Sequence, residues 1–202
     1  MTLTALLDEP PFDAVQRGYA QLILDEFRAS GLPSSIALAA VVNAWAESML
    51  DPLVCFGRTP WGADRSFGPI GGEENSCGLF QLNAASGAAG EGMSAEQRQD
   101  PVLNTRRIIS VVKGPAGQDL RDAAAEGDSL ETLTELFTTD IERPANATQK
   151  GIERGDMAVQ WWGDRATGSS LNLPQFAAAL PITTPFFLGL AALVGLLVWI
   201  RR

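Results

Sequence analysis

Residues 36–50 read IALAAVVNAWAESML. Ile36, Leu38, Val41, Val42, Trp45 and Met49 put apolar groups nearly all the way round a helix, and such a helix belongs in the interior of a domain. Gly31-Leu32-Pro33 breaks the chain ahead of it, Ser34 or Ser35 can cap its start, and Asp51-Pro52 ends it. Glu47 is the anomaly in this stretch. A carboxylate buried there costs free energy unless it is protonated or hydrogen-bonded. Desolvation and the nearby negative end of the helix dipole both favour the protonated carboxyl, which is the condition of a general acid at neutral pH. Asn43 lies one turn earlier on the same face, placed to hydrogen-bond it. The competing reading is a buried Glu satisfied by an arginine, and this stretch alone does not separate the two.

Working outward, residues Phe12 to Ser30 form an expected amphipathic helix with Val15, Tyr19, Leu22, Ile23 and Phe27 on one face. Residues Leu53 to Asn75 are rich in Gly, Pro and polar residues and read as a loop or small β lobe. The segment SCGLFQLN (76–83) leads from that lobe into a Gly/Ala/Ser stretch. Asp100-Pro101 opens a helix with a cap followed by proline, and this helix runs to about Lys113, where Gly114-Pro115 stops it. Further helices are expected at Asp119–Ala125, Ser129–Ile141 and about Ala145–Trp162. The expected fold is mainly α, with an irregular or β lobe inserted after the buried helix.

Composition narrows the chemistry. The 202 residues suffice for one enzyme-sized domain and a short appendage. There is no histidine, which removes Ser-His and Cys-His nucleophilic pairs and His-ligated zinc. Carboxylate acid–base chemistry passes that filter, and neither a metal site nor a cofactor is expected. A formal charge of −9 disfavours non-specific nucleic-acid binding. Cys55 and Cys77 can pair in an oxidising setting or pack as free thiols, and both readings are open. Residues 1–11 lack the basic start and apolar run of a secretion signal. At the other end, residues 185–200 (PFFLGLAALVGLLVWI) are almost wholly apolar and precede Arg201-Arg202. Counted from Ile182, a helix here spans about 28 Å, close to a bilayer's ~30 Å core. Trp199 suits the interface and the two arginines suit the headgroups. The expected organisation is a domain at 1–165, a linker at 166–181 and a membrane anchor at 182–202, with residues 182–200 meeting lipid.

The arrangement Asn43-x-x-x-Glu47-Ser48-x-x-x-Pro52, then Ser76-x-Gly78-Leu79-Phe80-Gln81, resembles the core of the lysozyme-like superfamily. Phe137-x-x-x-x-Glu142-Arg143-Pro144, followed by Arg154 and Ala158, resembles the closing motif of the phage tail lysozyme family. The chain departs from that family in having Leu82-Asn83 after Gln81, and its Glu47-to-Gln81 spacing is longer than in typical lytic transglycosylases. The resemblance implies an α+β lysozyme-like domain that cleaves peptidoglycan glycan strands between N-acetylmuramic acid and N-acetylglucosamine, as a muramidase or a lytic transglycosylase. In that reading Glu47 protonates the leaving oxygen, with Asn43 and Ser48 orienting it. Gly78 lets backbone approach a sugar, Leu79 and Phe80 line the groove, and Gln81 offers amide donor and acceptor groups. Trp61 in the lobe is placed to stack on a sugar face.

Glycoside hydrolysis usually needs a second carboxylate. Asp64, Glu73 and Glu74 in the lobe are the candidates. Glu142-Arg143 reads instead as a structural ion pair or a helix terminus. A cell-wall enzyme with a tail anchor and no export signal fits packaging in a phage particle, in contact with virion membrane and other virion proteins, for use during genome entry. The alternatives are a host-lysis endolysin, a non-catalytic glycan-binding or structural virion membrane protein on a degenerate lysozyme fold, and a plain helical scaffold.

Overall fold

The computed structural model describes residues 3–55 and 76–163. The expected linker and anchor lie outside them, as do Trp61, Asp64, Glu73 and Glu74. Among the described residues no helix is long and apolar enough to cross a membrane.

The first short helix, α1 (Leu3–Leu6), is followed by α2 (Ala14–Ala29) and α3 (Ser34–Ser48). Asp13 starts α2 with a capping box, accepting from the Val15 and Gln16 backbone amides while Gln16 reaches back. α3 is the interior helix expected from its sequence. Ten of its residues from Ser35 to Ala44 are buried, Asn43 among them. Its start differs from expectation. Pro33 occupies the cap position and no side chain caps the helix, so Ser34 and Ser35 lie inside the first turn. Pro33 fixes the entry angle without help from a hydroxyl.

The buried face of α2 is Ala20, Ile23, Leu24 and Phe27, while Val15 is 66% exposed. The stripe is rotated from the expected one. α2 packs on α3, and Ile23 and Phe27 are common to the expected and the observed stripe.

After residue 76 the chain makes a two-stranded antiparallel ribbon, β1 (Ser76–Cys77) and β2 (Leu82–Asn83), with Cys77 opposite Leu82. Cys55 and Cys77 are joined in a disulfide, which decides the open question about the thiols. Helices α4 (Ala95–Gln99), α5 (Pro101–Lys113), α6 (Gln118–Glu126) and α7 (Leu130–Leu136) follow. α5 starts as its sequence dictates: Asp100 accepts from the Val102 and Leu103 amides, with Pro101 at the first position. α7 runs on into a π-helical turn, Phe137–Glu142, which ends at Arg143 in the left-handed conformation, and α8 (Ala147–Trp162) closes the described chain.

α3 forms the centre, packed by α2, α7 and α8, while α7 and α8 lie against each other. Phe137 meets both Phe27 and Phe80 in the core, with ring centroids 6.5 and 6.2 Å apart. At the other end Phe12, Trp45 and Trp161 form a second aromatic group. Trp162 Nε1 donates to the Leu6 carbonyl at 2.7 Å and ties the last helix to the first.

Candidate functional site

A cleft of about 760 Å³ opens between the C-terminal end of α3, the β ribbon, α5 and the π turn. That volume is within the about 300–1,000 Å³ of a small-molecule site. Glu47, Phe80, Gln81 and Glu142 are on its walls, and Arg107, Arg143 and Lys150 bring positive charge to it.

Glu47 reaches the cleft from the last turn of α3, with 18% of its side chain exposed. It is not solitary. Arg154 of α8, only 6% exposed, donates from Nη2 to Glu47 Oε1 in a short ion pair. The other Arg154 nitrogen, Nη1, donates to Asn43 Oδ1 at 2.7 Å. Thr138 Oγ1 reaches the same Asn43 oxygen at 2.8 Å, and Asn43 Nδ2 donates to the Ala39 carbonyl at 2.9 Å. Asn43 therefore supports Glu47 through Arg154 rather than by bonding it. The expected direct Asn43–Glu47 contact is replaced because all the polar capacity of the amide is spent on the helix backbone, Thr138 and the guanidinium.

Three other residues expected to meet substrate are structural instead. Ser48 Oγ lies 3.0 Å from the Ala44 carbonyl and 2.9 Å from the Leu79 carbonyl, so it fastens the ribbon's turn to α3 and leaves Glu47 unattended. Leu79 itself is fully buried in the core. Gly78 has φ +89°, and a Cβ there would fall 1.9 Å from the Arg98 carbonyl oxygen and 2.2 Å from Asn104 Nδ2. Its missing side chain makes room for α4 and α5, not for a sugar. Asn104 completes the clamp: its Oδ1 accepts from the Phe80 amide, and its Nδ2 donates to the Cys77 and Arg98 carbonyls.

Gln81 does face the cleft, in a narrower role than its residue type allows. It sits at φ +44°, a strained value for a residue with a Cβ. Its Nε2 donates to the Val54 and Gly78 carbonyls at 2.9 and 2.8 Å. Both protons are spent, and Oε1 is enclosed and without a partner.

Glu142 is the residue that sequence reasoning set aside. It makes no ion pair with Arg143, whose Nε bonds back to the Asp140 carbonyl and whose φ of +51° closes the π turn. The helix-terminus half of that expectation is what the structure contains. The residue is half-buried as a whole, yet its Oε1 is sealed from solvent and has no hydrogen-bond partner. Burial drives its carboxyl well above the ordinary carboxylate range. The negative charge of Glu47 adds to this, and Arg154 pulls the other way. A signal for Glu142 was present: Thr134, Thr138 and Glu142 recur at i, i+4 and i+8, a polar stripe facing the Asn43–Glu47 pair.

Among the described residues no cluster of acidic or cysteine side chains could hold a metal ion. The geometry offers two carboxyls of unequal character beside one guanidinium, in one open cleft. No family model, curated protein or solved structure matches this chain.

Proposed function

We propose that this domain is a glycosidase acting on the glycan strands of peptidoglycan, as a muramidase or lytic transglycosylase, with Glu47 as an essential carboxylate. The reading is carried by one observation: Glu47, at the end of the interior helix, faces the Phe80–Asn83 segment across an open cleft. Arg107, Arg143 and Lys150 on the cleft wall suit the acidic substituents of such a strand despite the chain's net negative charge. The full-length chain should clear a zymogram of cell-wall sacculi, and Glu47→Gln should abolish the clearing. Equal clearing by the two proteins would remove Glu47 from the chemistry. Mass analysis of soluble products for anhydro-muramyl ends separates the transglycosylase from the hydrolase.

A second reading is favoured by the Arg154–Glu47 ion pair, which is how an ordinary buried glutamate is satisfied. In it the same cleft binds glycan without cleaving it. Retention of sacculi by the wild-type chain with no clearing would select it. The residues 182–202 supply the proposed membrane anchor, and packaging in a phage particle is the proposed setting. Immunoblotting of purified particles tests that placement, and absence of the protein from them favours host-cell lysis.

A further inference from the structure

We infer that Glu142 is the proton donor of the cleft and that Glu47, held by Arg154, is its standing carboxylate, an assignment that rests on the glycosidase reading. Both side chains line the same cleft, and Glu142 is placed by the π turn directly behind the polar stripe that meets α3 and α8. Their partners divide them. The nearest cation is committed, Nη2 to Glu47 and Nη1 to Asn43. Glu142 Oε1 is shut away with no donor pointed at it. It also closes a continuous helical rod from Leu130 to Glu142, whose terminal carbonyls present negative charge. The other charged groups lining the cleft are Glu91 before α4, Arg107 of α5, Lys150 of α8, and Asp140 and Arg143 beside Glu142. None of the three cations is hydrogen-bonded to it. Burial, and then the Glu47 charge, favour the neutral carboxyl, the form that carries an O–H.

The step balances without any further reagent. The O–H bond at the Glu142 oxygen that lines the cleft, Oε2 and not the sealed Oε1, breaks and its proton passes to the glycosidic oxygen. The C1–O bond breaks with its electron pair on that oxygen, and the leaving sugar departs as an alcohol. Glu47 stabilises the positive charge developing at C1. A hydroxyl, from water or from the sugar itself, adds its oxygen to C1 and returns its proton to Glu142. Two carboxyls placed in unlike environments thus divide the acid and anionic roles.

The test uses the full-length chain, Glu142→Gln and Glu47→Gln, with two readouts. The first is the infrared carbonyl band of a protonated carboxylic acid at neutral pH. Glu142→Gln should remove the band and Glu47→Gln should leave one. The second compares intact peptidoglycan with a soluble oligosaccharide carrying a dinitrophenyl leaving group, which departs without protonation. Glu142→Gln should lose about 10²-fold or more on peptidoglycan and stay within about tenfold of wild type in kcat/KM for dinitrophenolate release, the step that needs no proton. Glu47→Gln should lose both. A band that survives Glu142→Gln, wild-type clearing by that variant, or equal loss on the two substrates overturns the assignment. If Glu142→Gln fails to fold, the wild-type band decides: a chain with no such band at neutral pH overturns the proposal. If the wild-type chain turns over neither substrate, the glycosidase reading fails, while the band still judges Glu142.

Discussion

The ends of α3 and of the α7–π rod are built alike and behave differently. Each ends in a left-handed residue, Met49 at φ 54° and Arg143 at φ 51°, and each carries a glutamate within the last turn or beside the cap. Each glutamate faces the same cleft. One has a guanidinium; the other has only the pair it cannot join. Position at a helix terminus therefore does not set the charge of an acidic side chain. The allocation of the buried Arg154 guanidinium does, and α8, from a different part of the chain, makes that allocation.

The most damaging way to break this contrast is to remove the cation. Arg154→Met should leave Glu47 and the Asn43 oxygen without their main donor beside a second carboxyl, at a cost of about 3–5 kcal/mol. Urea denaturation midpoints measure it, and a loss below about 1 kcal/mol would show that the pair does not organise the site. Next comes the turn of the β ribbon. Gly78→Ala forces a Cβ onto the Arg98 carbonyl at a positive φ and should cost about 2–4 kcal/mol. Thermal unfolding reads this, with cleft-dependent activity falling in parallel.

The smallest effect at any one pH sharpens the contrast instead of breaking it. Glu142 has a folded-state pKa above its unfolded value, so between the two the folded chain holds a proton that the unfolded chain has released. Its contribution is complete below the unfolded value of about 4.3. It declines as pH rises toward the folded value and is then constant. Glu142→Gln titrates nowhere, so the stability of the variant relative to wild type should rise with pH across that window. A difference that is flat with pH, or that falls, contradicts the assigned direction.

Much of the scaffold could be read without coordinates because single residues dictate it. The unbroken apolar surface of residues 36–50 has no stable place except an interior, and Asp100-Pro101 combines a cap with a fixed φ. The face of α2 was less legible, since which side of an amphipathic helix is covered depends on the helix it packs against. The site was legible in part. Glu47, Phe80 and Gln81 do come together, and Arg154 is within the motif that suggested the family resemblance. What escaped was the assignment of roles. Neighbours in sequence on a helix do not face one another, so Glu142-Arg143 looked like a pair that the geometry forbids. Gly78 is expected at a sugar and Ser48 and Asn43 at Glu47, whereas each spends its chemistry on the protein's own backbone or on Arg154. A sequence displays hydrogen-bonding capacity; only packing shows which part is already used.

The Cys55–Cys77 bridge has a practical corollary. A protease that nicks the chain anywhere from residue 56 to 76 produces two pieces that still travel as one, on a gel or a sizing column, until a reductant parts them. Preparations of apparently full mass can therefore hide cut molecules, and any assay of this protein should be paired with a thiol-treated control lane.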